Sequence, residues 1–107
     1  MPGQIYPDLL QFLGGYFHQD FLCVHATPDA AIDDFLRSGP RELRLSLCKE
    51  LDLALSDIRA GRDPASLLEE HCCDYDPTPD GWEIADWLRY VRTRIADALQ
   101  QEDGRSP

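Results

Sequence analysis

Three stretches carry the residue types that could do chemistry. In FLGGYFHQDF, Phe12 to Phe21, His18 stands two residues before Asp20, the pairing of a general base with the acid that orients it. Cys23 and His25 follow closely, and His71-Cys72-Cys73 form a second group; thiolate and imidazole are the ligands zinc prefers. The loop DYDPTPDG, 74–81, sets acids at alternate positions, as a calcium loop does.

Spacing weighs against each of these chemistries. Residues i and i+2 on a helix point apart, and no nucleophile within reach of His18 is identifiable. His18 and Asp20 are therefore expected to cap the end of the first helix. The cysteines make no CxxC pair, and neighbours such as Cys72 and Cys73 diverge at a helix end. A zinc site would need His18, Cys23 and His25 to meet His71, Cys72 and Cys73 in space. In the acidic loop, Gly81 comes too late, the twelfth position is Ala85, and Pro77 and Pro79 stand where the chain should wrap an ion. No cofactor, no metal and no catalysis is expected.

The acidity is a stronger signal. The 107 residues include 20 acids against 10 bases, a formal net charge of −10. Such a field repels nucleic-acid phosphates and anionic membrane surfaces, and favours a basic partner. From Asp63 to Asp86 there are eight acids and neither lysine nor arginine, with Tyr75 and Trp82 inside the run. Acids steer a basic partner, aromatics anchor it, and prolines lower the cost of ordering the loop. The candidate contact residues are Glu69, Glu70, Asp74, Asp76, Asp80, Trp82, Glu83 and Asp86, with Tyr90 one turn further on. The plainer alternative is a solvated acidic edge with Trp82 packed inward.

Helices must position these residues. Apolar spacing predicts one all-α domain over 1–107, a compact bundle of about five helices, with residues 102–107 fraying. Pro7, Pro28 and Pro64 stand where a missing N–H costs a helix nothing, and Thr27 and Asp63 are suitable N-caps. A helix opened by Pro40 carries Leu43, Leu47, Leu51, Ala54, Leu55 and Ile58 on one face, and Leu45 and Leu53 on others. Leucines on several sides predict a central helix surrounded by neighbours. The fourth helix is expected to reach about Cys72, and the last to run from about Trp82 to Gln101. The prolines of 74–81 argue against regular structure there. The N-terminus MPGQIYPDLL lacks the pattern of a signal peptide, and no run approaches a membrane span. Cys23, Cys48, Cys72 and Cys73 are expected to be reduced thiols in a cytoplasmic protein.

YPDLLQFLGGYFHQDF, 6–21, resembles the opening signature of one family of contact-dependent growth inhibition immunity proteins. The resemblance continues through DDFLRSGP, 33–40, ELDLAL, 50–55, HCCDYDP, 71–77, and GWEIADWLRYVRTRI, 81–95. It implies a cytoplasmic inhibitor that binds the toxic C-terminal domain of a delivered exoprotein, one to one. Such toxins are often nucleases, including tRNases, whose basic surface would suit an acidic inhibitor. On this reading Phe12, Gly14, Gly15, Tyr16, Phe17, His18 and Asp20 maintain the scaffold. Gly14 and Gly15 would let another helix approach the first closely. The alternatives are a small zinc-binding or metalloenzyme domain built on the His/Cys clusters, and a generic acidic adaptor.

Overall fold

The structure is a computed structural model that describes residues 4–17 and 27–104. Its elements are α1 (Pro7–Tyr16), α2 (Pro28–Ser38), α3 (Arg41–Arg59), α4 (Pro64–Glu70), a 3-10 turn at Thr78–Asp80, and α5 (Ile84–Gly104). Among the described residues there is no strand, so the all-α expectation holds.

Local chemistry accounts for most helix starts. Proline occupies the first turn of α1, α2 and α4, where no intrahelical bond is lost. The Thr27 hydroxyl accepts from the Ala30 N–H, and the Asp63 carboxylate from the Ser66 N–H, each at 3.1 Å. Neither Tyr6, the N-cap of α1, nor Pro40, the N-cap of α3, makes a side-chain cap. At the start of α1, Glu50, on α3, accepts from the Leu9 N–H at 2.9 Å, and the Ser46 hydroxyl donates to Asp8. The start of α1 is thus capped from another helix.

The two long helices, α3 and α5, pack along each other; α1 lies against α3 and α2, while α2 and α4 lie against α5. Between them Leu13, Ile32, Phe35, Leu47, Leu51, Trp87 and Ile95 are buried. Phe12 meets Phe35 and Phe17, and Phe17 meets Trp87, with rings edge-on at 4.8–5.5 Å. Burial of rings of this size dominates the energetics of a small core.

The expectation that α3 is enclosed is corrected. Leu45 and Leu53 are 48% and 47% exposed. Packing against α1 and α5 covers only the Leu47–Leu51–Ala54–Leu55 face, and the off-face leucines stay in solvent.

Three boundaries also differ from expectation. α5 begins at Ile84 rather than Trp82, because the Trp82 N–H still bonds to the Pro77 carbonyl (3.3 Å) and belongs to the preceding turn. It continues to Gly104 rather than ending at Gln101. The proline loop contains one turn of 3-10 helix, because the Asp76 carboxylate accepts from both the N–H and the hydroxyl of Thr78, at 3.0 and 2.8 Å. That turn ends at Gly81, whose φ of 93° suits glycine.

α4 stops at Glu70, ahead of the expected Cys72, in a left-handed cap. Cys72 has φ 59°. Its N–H bonds to the Glu69 carbonyl at 3.1 Å, and the Cys73 N–H bonds to the Leu68 carbonyl at 3.0 Å. This is the paired-bond pattern that usually places glycine at the left-handed position. With cysteine there, the backbone conformation costs about 1 kcal/mol or more. Gly14 of α1 faces that cap: a Cβ on Gly14 would lie 3.4 Å from the Cys72 Cβ and 3.9 Å from the His71 carbonyl oxygen. Gly15 meets nothing within 4 Å among the described residues. One glycine of the pair therefore faces a close approach, and what approaches is the end of α4.

Candidate functional site

Two polar clusters occupy opposite conditions of burial. The first joins the start of α1 to the ends of α3 and α4. The Tyr6 N–H donates to His71 Nε2 at 3.0 Å, and His71 Nδ1 lies 2.8 Å from the Leu67 carbonyl. A backbone N–H can only donate, so Nε2 is the acceptor and Nδ1 carries the proton. His71 is fully buried, and burial holds its pKa below the usual imidazole value. The Tyr6 hydroxyl donates to Asp57 at 2.5 Å, and Arg62 bridges Asp57 and Glu70 at 3.1 and 3.3 Å. Burial, reinforced by the bond to Asp57, pushes the Tyr6 hydroxyl up to about 12.

This geometry settles the roles of several candidates. Both nitrogens of His71 are committed, which leaves none for a metal. The Cys73 thiol is buried, donates to the Tyr75 carbonyl at 3.3 Å, and is raised to about 12, chiefly by burial. Cys72 is exposed. Among the described residues, no three His, Cys, Asp or Glu side chains are grouped to hold a metal ion. Glu70 is drawn into the pair with Arg62. His18, Asp20, Cys23 and His25 lie outside the described residues.

The second cluster is an edge where the 74–81 loop meets α2 and α5. Tyr75 is half-buried, with its ring against Phe17 and Trp87 and its hydroxyl donating to Asp80 at 2.6 Å. Burial raises its pKa, with the Asp80 bond as the next cause. Trp82, also half-buried, stacks on Tyr90 with centroids 5.2 Å apart and planes 28° from parallel. The Tyr90 hydroxyl donates to Asp29 at 2.9 Å and accepts from Arg94 at 3.0 Å. The Arg94 guanidinium also pairs with Asp33 and sits 5.8 Å from the Tyr90 ring centre.

The structure thus brings Asp80, Trp82 and Tyr90 together. Asp76, fully exposed, is held by Thr78, and those bonds lower its pKa. Asp86 pairs with Arg89 at 2.5 Å. Glu69, Asp74 and Glu83 are exposed, and their carboxylates carry no hydrogen bond or ion pair among the described residues. Glu69, Asp74 and Asp76 border a trough of about 340 Å³ over Leu68 and Ile84, and Glu83 borders another of about 530 Å³ over Ile58 and Ala85. Between α2, α5 and the loop lies a cleft of about 270 Å³ lined by Thr27, Pro28, Asp29, Tyr75, Asp80, Trp82, Trp87 and Tyr90.

Sequence reasoning missed Asp29, Asp33 and Arg94. Asp29 reads as a first-turn acid of α2 and nothing more. Its contact with Tyr90 spans 61 residues of chain, so no local pattern reports it.

A family model of the CdiI immunity protein matches residues 5–95. The chain is also similar to one in the crystal structure of a CdiA-CT/CdiI complex from Y. kristensenii 33638, with a TM-score of 0.73 and 25% sequence identity. The alignment covers 84% of this chain and 97% of that one. No curated protein matches the chain. The chain belongs to the CdiI immunity protein family. No helix among the described residues is long and apolar enough to cross a membrane.

Proposed function

We propose that this immunity protein neutralises the C-terminal toxin domain of its cognate exoprotein, as a one-to-one complex in the cytoplasm, without catalysis or cofactor. The toxin is a basic nuclease of the tRNase kind, and the contact surface is the acid–aromatic edge. One observation carries this reading: the half-exposed Trp82–Tyr90 stack stands beside the carboxylates of Asp29 and Asp80, each held by a tyrosine hydroxyl. Stacked rings are rigid anchors that lose little entropy on binding, and surrounding charges steer the encounter. A nuclease must be basic where it grips its substrate. A chain of net charge −10 can occupy that surface and keep substrate out. The same charge disfavours direct contact with nucleic acid or an anionic membrane.

Within the edge, Glu69, Asp74, Asp76 and Glu83 supply long-range attraction. Asp80, Trp82 and Tyr90 supply close contact, with Asp86 at the border. Glu70 acts through Arg62 on the fold.

Titration calorimetry against the cognate toxin domain, at low and high salt, tests the reading. Tight binding that weakens with salt is expected, and Asp76→Lys combined with Asp80→Lys slows association. Tight binding with no salt dependence would move the interface to an apolar surface. Absence of binding would remove the toxin-neutralising role.

A further inference from the structure

The cleft between α2, α5 and the loop combines features that the acidic edge as a whole does not share. Its floor is the indole of Trp87, which is 1% exposed. Its walls are the half-buried rings of Tyr75, Trp82 and Tyr90, and its polar lining includes two carboxylates, Asp29 and Asp80. Each carboxylate binds a tyrosine hydroxyl through one oxygen, Asp80 through Oδ2 and Asp29 through Oδ1. The second oxygen of each makes no bond among the described residues. The tyrosine bonds hold both carboxylates in place before any ligand arrives.

Resting on the toxin-binding reading, we propose that this cleft is a guanidinium site that receives an arginine side chain of the bound toxin. A cation is favoured by the Asp80 carboxylate, by the second oxygen of Asp29, whose first oxygen lies 3.7 Å from Arg94, and by the ring faces. Arginine is preferred to lysine because its planar, weakly hydrated head stacks on aromatic faces while its fork reaches carboxylate oxygens. A volume of about 270 Å³ holds such a head and its stem. The protein already uses this chemistry internally: the Arg94 guanidinium lies over the Tyr90 ring, bonds the Tyr90 hydroxyl and pairs with Asp33. The toxin's arginine would repeat that arrangement on the cleft side, against Trp82 and Asp80. Burying a preformed aromatic–carboxylate pocket around one cation is the pattern of an interface hot spot.

Two titrations test this. In the first, the isotope-labelled full chain is titrated with N-acetyl-arginine methylamide and with its lysine counterpart, while the indole N–H signals are followed. The arginine probe should shift the Trp82 signal saturably and more strongly than the lysine probe. In the second, the wild type, Asp80→Asn, Trp82→Leu and Asp97→Asn are titrated against the toxin domain. Asp80→Asn can still accept the Tyr75 bond, so it removes charge without removing the support of the loop. It and Trp82→Leu should each weaken binding about tenfold or more. Asp97→Asn removes the same charge from an exposed α5 position outside the cleft, and should stay within about twofold. Toxin affinity unchanged in both cleft variants overturns the proposal while leaving the immunity reading intact. Equal weakening in all three, Asp97→Asn included, also overturns it, since that is net charge alone. A wild-type chain that ignores the toxin but takes the arginine probe at Trp82 overturns the toxin-binding reading and supports the guanidinium specificity of the cleft.

Discussion

The same three residue types meet twice in this molecule. Tyr6, Asp57 and Arg62 form one set, and Tyr90, Asp29 and Arg94 form another. In each, the tyrosine hydroxyl donates to the aspartate, at 2.5 Å in the first and 2.9 Å in the second. In each, an arginine stands beside the same carboxylate, at 3.1 and 3.7 Å. Burial separates them. Tyr6 is 4% exposed, and the Arg62 and Asp57 side chains 11% and 36%, whereas the Arg94 and Asp29 side chains are 27% and 61% exposed. A guanidinium largely removed from water, as that of Arg62 is, cannot be left unpartnered, so the first set stabilises the fold. Charges still in water are loosely held and can exchange partners at little cost, so the second set can serve recognition.

The sharpest way to break this comparison is at His71, which ties the first set to α4. His71→Ala leaves a cavity and an unsatisfied Tyr6 N–H, and should cost about 3 kcal/mol by urea unfolding. A cost similar to that of an exposed substitution would mean that the buried cluster is not a stabilising unit. Next comes Gly14, which faces the cap beside His71. A methyl would fit at 3.4 Å, but the rest of a leucine would run into Cys72, so Gly14→Leu should cost about 1–3 kcal/mol. The two arginines test the comparison directly. Arg62→Gln should cost about 2 kcal/mol, and Arg94→Gln less than about 1 kcal/mol; equal costs would erase the distinction. Gly15→Ala is the smallest effect and of opposite sign. With nothing within 4 Å of its added methyl among the described residues, helix propensity should add up to about 1 kcal/mol of stability.

Acid separates the two regions further. His71 is neutral in the fold, and burial holds its pKa below the unfolded value of 6.5. As pH falls below 6.5 the unfolded chain gains a proton there before the folded chain does. The stability that His71 contributes is therefore complete above that pH and declines below it, until the folded imidazole is protonated too. The urea midpoint followed from pH 7 downward should fall through this window, and the fall should be shallower in His71→Gln. The cluster of Tyr90, Asp29, Asp33 and Arg94 contains no histidine.

Much of the architecture is legible in short runs of residues. Thr27-Pro28 and Asp63-Pro64 announce helix starts because capping and proline geometry act within four residues. The buried stripe of α5, with Trp87, Leu88, Val91 and Ile95, follows from helical periodicity. The acid–aromatic character of 74–86 is likewise present in composition. The errors have a common origin. Leu45 and Leu53 were expected to be covered, but exposure depends on which neighbours arrive. Gly14 and Gly15 are equivalent in sequence, and among the described residues only Gly14 faces another element. The role of His71, beside two cysteines, is also not local, since the Tyr6 N–H that its Nε2 accepts lies 65 residues away in the chain.

By itself, then, the sequence determined the helices, their order, the apolar face of each, and the sign of the surface charge. Those depend on backbone geometry and near neighbours, which travel with the chain. Tertiary structure alone decided which carboxylates are spent on the fold and which stay in solvent. Glu50 caps α1, Glu70 holds Arg62, and Asp29 reaches Tyr90; Glu69, Asp74 and Glu83 are left in solvent. A carboxylate's role is set by burial and by the donor opposite it. Here those donors come from helices far apart in sequence.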